Sequence, residues 1–160
     1  MIDRSSLTTG DKAGVLFNPE DGASASDLAY ELQGVMRRSE VGSGTGLDLQ
    51  TDEFETAWIV LHNRQFERLV GSVQLLNETL FERGNGSRLL AAVIRVDFER
   101  RPAYWIYNYK RGYFYPLVRG KGGDGRDNEA ELRLGESMDK HRVAVESSLE
   151  HWYGLSGIPF

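Results

Sequence analysis

Apolar positions along this chain switch between two spacings, every second residue and every third or fourth, and each switch marks a new element. KAGVLF (12–17) is a short apolar run bounded by the turn chemistry of Asn18-Pro19 and Asp21-Gly22. It predicts a first strand after a frayed segment over residues 1–11. Ser24 or Ser26 can cap the next stretch, because a serine oxygen accepts an otherwise orphaned backbone N–H. Leu28, Leu32, Val35 and Met36 then share one helical face. GSGTG (42–46) reads as a flexible break. In LDLQTDEFETAWIVLHN (47–63) a polar centre separates two apolar parts, which predicts two strands joined by a turn or bulge, or one long strand. Phe66, Leu69, Val70, Val73, Leu76, Leu80 and Phe81 repeat at three and four residues and predict an amphipathic helix that Gly84 terminates.

The second half is richer in strand formers. RLLAAVIRVDF (88–98) and AYWIYNY (103–109) read as two strands separated by ERRP, with β-branched and aromatic residues dominating the second. Lys110-Arg111-Gly112 marks a turn, and Tyr113-Phe114-Tyr115 continues as a short strand until Pro116 limits ladder pairing. Residues 118–126, with GKGGDG at their centre, read as a mobile loop. Asn128 caps a last helix with Glu131 as its capping-box partner, and Ala130, Leu134 and Met138 form the buried line. VESSLEHWY adds a helical turn before the apolar tail GLSGIPF. The order β-α-β-β-α-β-β-β-α-α predicts a single α+β domain over residues 1–160, an antiparallel sheet with helices packed on it.

Charge changes this picture locally. The net charge is −5, yet residues 95–121 carry seven basic residues (Arg95, Arg100, Arg101, Lys110, Arg111, Arg119, Lys121) against Asp97 and Glu99, so that segment is +5 and the remainder −10. Such an island either attracts an anionic partner or folds against the acidic remainder and is neutralised. The longest apolar runs, such as LLAAVI (89–94), are too short to cross a bilayer, and the N-terminus lacks the apolar core of a signal peptide, so the chain reads as cytoplasmic. No helix has the basic, strongly apolar amphipathic pattern of a membrane anchor, which leaves indirect membrane association. With no cysteine there is no disulfide, thiolate nucleophile or Cys-ligated metal.

Catalytic patterns are sparse. His62, His141 and His151 are scattered and match no metal-binding spacing, so no metal or cofactor is implied. No serine lies in a G-x-S-x-G elbow, GSGTG follows a helix rather than a strand, and GKGGDG lacks the ending of a phosphate-binding loop. The carboxylate clusters Asp52, Glu53, Glu55 and Asp127, Glu129, Glu131 read as solvated turns and helix starts; no nucleophile–base pair is visible. The chain is expected not to be an enzyme.

YWIYNYKRGYFYP (104–116) holds five of the seven tyrosines, a tryptophan and the pair Lys110-Arg111. Strand alternation sorts Trp105, Tyr107 and Tyr109 to one face and Tyr104, Ile106 and Asn108 to the other. One aromatic face is expected in the core, and the face carrying Tyr104 is expected to stay half exposed as a docking surface, since tyrosine and arginine dominate interaction hot spots. The alternative is an RNA-binding module, because Arg111-Gly112-Tyr113-Phe114-Tyr115 is similar to the start of an RNP1 sequence, with Tyr113, Tyr115 and Arg111 as its contacts. Against it, Phe114 stands where that pattern wants a small residue, Pro116 interrupts what should be a central strand, and no convincing RNP2 partner precedes the first helix. Stable nucleic-acid binding is not expected.

YWIYNYKRGYFYP (104–116), RDNEAELRL (126–134) and LEHWYGLSGIPF (149–160), in this order, resemble the PspAB family, PspA-associated proteins linked with the phage-shock or envelope-stress response. Weaker agreement runs through LDLQTDEFETAWIVL and VQLLNETLFERGNGSRLLAAV. The resemblance implies a non-enzymatic, cytoplasmic accessory protein that works beside a PspA-like partner. Tyr109, Lys110, Arg111, Gly112, Phe114, Tyr115, Pro116, Arg126, Asp127 and Asn128 match the family's pattern. Tyr104, Tyr109, Lys110, Arg111, Tyr113, Tyr115, Arg126, Asp127 and Asn128 are therefore the candidate partner-binding residues. Asp127 can pair with Arg111 or Lys110 across the glycine loop, or the same residues can hold a partner's acidic segment. The element order is also similar to that of the type III secretion chaperones, an analogy that implies a surface for protein clients, often on a homodimer.

Overall fold

The computed structural model describes residues 7–18, 25–51, 56–84, 86–120, 125–140, 142–155 and 158–160. Among them, nine elements follow one another: β1 (Leu7–Phe17), α1 (Ala25–Arg38), β2 (Gly46–Thr51), β3 (Ala57–His62), α2 (Phe66–Glu82), β4 (Leu89–Phe98), β5 (Arg101–Asn108), β6 (Tyr113–Val118) and α3 (Asn128–Lys140). The architecture is α+β, with an antiparallel sheet in the order β2-β3-β1-β4-β5-β6. Two compact units divide the chain, Asp11–Val93 and Met1–Gly10 with Ile94–Phe160.

In the first unit β3 is the central strand. It pairs antiparallel with β1, from Lys12↔His62 to Phe17↔Ala57, and with β2, from Gly46↔His62 to Thr51↔Ala57. Paired on both sides and buried over Ala57–Leu61, it reads in sequence as an unbroken apolar run rather than an alternating one. Leu32 and Met36 of α1, with Leu69, Val73, Leu76 and Leu80 of α2, complete this core. Gly84, at φ +79, ends α2 as its sequence position predicts. Phe81 departs from the predicted buried line. It is 58% exposed, and its ring lies where a Cβ on Gly86 would come within 2.3 Å.

Two further expectations change here. The first strand begins at Leu7 instead of following a frayed segment to Asp11, and its polar half is held by backbone bonding such as Asn63 N–H to the Asp11 carbonyl (3.0 Å). GSGTG is a packed turn and not a flexible break: Thr45 Oγ1 lies 2.8 Å from Ser72 Oγ and accepts from Asn63 Nδ2 at 3.0 Å. The predicted cap Ser24, the DEFE turn at 52–55 and the loop centre at 121–124 lie outside the described residues, and the side chain of Ser26 is likewise undescribed.

The other unit is built on the β5–β6 hairpin, in register from Ala103↔Val118 to Asn108↔Tyr113. Ala130, Leu134 and Met138 form the buried line of α3 as predicted. VESSLEHWY forms one 3-10 turn over Leu149–His151, preceded by a stretch in which Val145 bridges Phe114 in parallel. Phe114 donates its N–H to the Ala144 carbonyl (2.8 Å), and Glu146 donates to the Phe114 carbonyl (2.7 Å). β6 is thus an edge strand with a strap along it. Pro116 is tolerated because its missing N–H falls at an outward position between Phe114 and Val118, and not in a central ladder.

A methyl group at Gly42 would lie 2.8 Å from the Met36 carbonyl oxygen and 2.9 Å from its Cα, so the turn after α1 has to shift to accept it. Gly42→Ala is expected to destabilise by about 1–3 kcal/mol in a denaturant melt. Gly46→Ala, whose methyl meets only ordinary contacts at 3.9 Å, serves as the neutral comparison.

Candidate functional site

The turn between β5 and β6 is fixed by its own backbone. The Asn108 carbonyl accepts from Gly112 N–H (2.8 Å), its side-chain oxygen accepts from Lys110 N–H (3.0 Å), and Gly112 takes φ +74, which a residue with a Cβ resists. Lys110 and Tyr113 project outward, Tyr113 at 45% exposure. Arg111 turns back and donates through Nε to Glu146, a carboxylate buried in the strap. That bond, opposed by desolvation, holds the Glu146 carboxyl below the usual range and raises Arg111 in turn.

Below the turn, Glu131 of α3 is 2% exposed. Its carboxylate accepts from Arg126 Nε at 2.8 Å and Arg126 Nη2 at 2.9 Å, and from the outward N–H of Val118 at 3.1 Å. Arg126 also donates through Nη1 to the Trp152 carbonyl (3.0 Å), and Trp152 Nε1 donates to the Glu146 carbonyl (2.9 Å). Beside this lies a charge network. Arg101 bridges Asp127 (2.6 Å) and Glu99 (3.2 Å), and Arg133 closes on both Glu99 oxygens at 2.7 Å. Its hydrogen bonds depress both carboxyls, Glu99 chiefly through Arg133 and Asp127 chiefly through Arg101.

These contacts revise several expectations. Asp127 pairs with Arg101 and neither Arg111 nor Lys110. Asp127, one residue before the predicted cap Asn128, caps α3 by accepting from Ala130 N–H (3.0 Å). Glu131 faces inward, so it makes no capping box. Of the candidate residues, Tyr104 (3% exposed) and Tyr115 (5%) lie in the core, so the face with Tyr104 and Ile106 is the sealed one. Tyr104 donates to the Phe160 carbonyl (2.7 Å), beneath the Arg119 guanidinium, and burial pushes the Tyr115 hydroxyl up to about 12. The half-buried face carries Trp105, Tyr107 and Tyr109, with Tyr107 edge-on to Tyr109 at 5.2 Å and tilted on Phe114 at 4.9 Å. Arg126 and Asp127 are held by internal partners; Asn128, Lys110 and Tyr113 are exposed. Of the three groups of the RNA reading, Tyr115 is buried, Arg111 is exposed but paired with Glu146, and Tyr113 is free of the core.

Sequence reasoning did not single out Glu146, Arg133 or Trp152. Nothing local marks them, because Glu146 and Arg133 meet their partners 35 and 34 residues away in sequence and Trp152 bonds to a backbone carbonyl. Leu132, Leu149 and Trp152 also line, with Arg126, Asn128 and Glu131, a groove of about 250 Å³. Among the described residues no helix is long and apolar enough to cross a membrane.

Glu131→Ala is expected to cost about 3–5 kcal/mol in a denaturant melt, because it strands the Arg126 guanidinium and the Val118 N–H. Glu131→Gln costs less, since its amide oxygen still accepts from Val118. The acid response follows from the three depressed carboxyls. As pH falls, the unfolded chain takes up protons first, so their stabilisation is full above the ordinary carboxylate range and is lost as pH drops through their folded values. In base, the unfolded Tyr115 hydroxyl ionises near 10 and the folded one near 12, so stability declines across that interval. Tyr115→Phe should flatten that decline in melts taken between those two values.

No curated protein and no solved structure matches the chain. A family model, PspAB or PspA associated protein B, matches residues 1–160. The match spans the whole chain, including the strapped hairpin, the RDN block and the closing LEHWYGLSGIPF segment, and the chain belongs to the PspAB family.

Proposed function

We propose that this protein is a non-enzymatic, cytoplasmic accessory of the envelope-stress response that associates with a PspA-type protein through the tip of the β5–β6 hairpin. The supporting observation is the division of labour within the turn. Arg111 is anchored to Glu146, while Lys110 and Tyr113 of the same turn stay exposed. A cation and an exposed aromatic carried on a turn whose backbone is already fixed spare the cost of ordering that backbone on binding, and suit an acidic segment carrying an apolar side chain. The family description supplies the partner's class.

Lys110→Glu combined with Tyr113→Ser should leave the circular dichroism spectrum unchanged and reduce co-purification with a PspA-type partner by about tenfold or more, as loss of a hot-spot side chain does. Undiminished recovery of the partner by the folded double variant overturns this reading.

A further inference from the structure

We propose that β2 is a self-pairing edge, through which two copies of the chain join their sheets antiparallel about Leu49. Every outward N–H of β6 is met: Phe114 by the Ala144 carbonyl and Val118 by Glu131, with Pro116 supplying none. At the opposite end of the strand order β2 bonds to β3 alone among the described residues, and its six residues are exposed or half-buried. It carries no proline and no lysine, two of the devices that blunt a free edge.

The side chains select a second copy as occupant. Leu47 and Leu49 share the half-buried face, and Asp48 and Gln50 the exposed one. Pairing that keeps these faces aligned has to place like-numbered residues at the two-fold axis. Centred on Asp48, it opposes two carboxylates, which is destabilising. Centred on Leu47, it uses only three residues of the strand. Centred on Leu49, it sets Leu49 against Leu49, Asp48 against Gln50 and Leu47 against Thr51, leaving apolar contact at the centre and amide–carboxylate pairs flanking it. Such an isologous contact closes at two copies, and the satisfied edge of β6 offers no template for further growth.

The chain has no cysteine, so single substitutions report the register directly. Leu49→Cys under mild oxidation should cross-link to twice the 18.0 kDa chain mass, severalfold more than Asp48→Cys or Gln50→Cys. Leu49→Lys, which sets two ammonium groups face to face, should shift light scattering from dimer to monomer with circular dichroism unchanged. Should Leu49→Cys fail to fold, mixing Leu47→Cys with Thr51→Cys chains should give a cross-link that neither gives alone. A monomeric unsubstituted chain at high micromolar concentration overturns the proposal and leaves the edge to a strand from another protein. Equal cross-linking at positions 48, 49 and 50, or a dimer that persists in Leu49→Lys, overturns it too.

Discussion

A buried carboxylate stands in for a missing strand. Glu131 accepts the N–H of Val118 that an edge strand would otherwise leave unpaired, and Arg126 neutralises it through two guanidinium nitrogens. Burying a charge is tolerable only when its lone pairs and its countercharge are both supplied, and here they are. The same arginine reaches the Trp152 carbonyl, whose indole in turn holds the Glu146 carbonyl. One ionic pair therefore ties β6, α3 and the C-terminal strap together, and the position of the hairpin tip is inherited from it through Glu146 and Arg111.

The basic island has to be understood in that setting. Part of its formal surplus is met inside the fold: beyond the island's own acids, which pair as Arg95 with Asp97 and Arg101 with Glu99, Arg101 also reaches Asp127 and Arg111 reaches Glu146. Arg119 stacks over the Tyr104 ring, 5.6 Å from its centre. Among the described residues, what remains outward around the turn is a small patch of Lys110, Tyr113 and the exposed part of Arg111. A patch of that size suits selective contact with a protein segment better than the distributed phosphate attraction nucleic acids require.

The ends of the strand order manage their edges by opposite means. β6 spends a carboxylate, a proline and a parallel strap on closing its outer side, whereas β2, among the described residues, bonds to β3 alone and alternates exposed with half-buried positions. Open edges attract strands, and natural sheets that retain one pair it, cover it or restrict its register. The Leu-Asp-Leu-Gln alternation restricts register, because the pairing centred on Asp48 opposes two carboxylates, whereas the one centred on Leu49 sets each Asp48 against Gln50.

Local chemistry along the chain determined the element order, the long helix ended by Gly84, the hairpin with Gly112 at its turn, and the three C-terminal blocks that carry the family resemblance. Each of these depends on near neighbours, through periodicity, turn residues or motif identity, so each was legible without coordinates. Tertiary structure decided the rest. It sealed Tyr104 and Tyr115 and left Tyr113 outside, because burial of a strand face depends on what packs over it and alternation only says which residues share that face. It gave Asp127 to Arg101 and Arg111 to Glu146, pairings that close over 26 and 35 residues. Charge attraction has no sequence period; only the folded chain determines which acid each arginine meets.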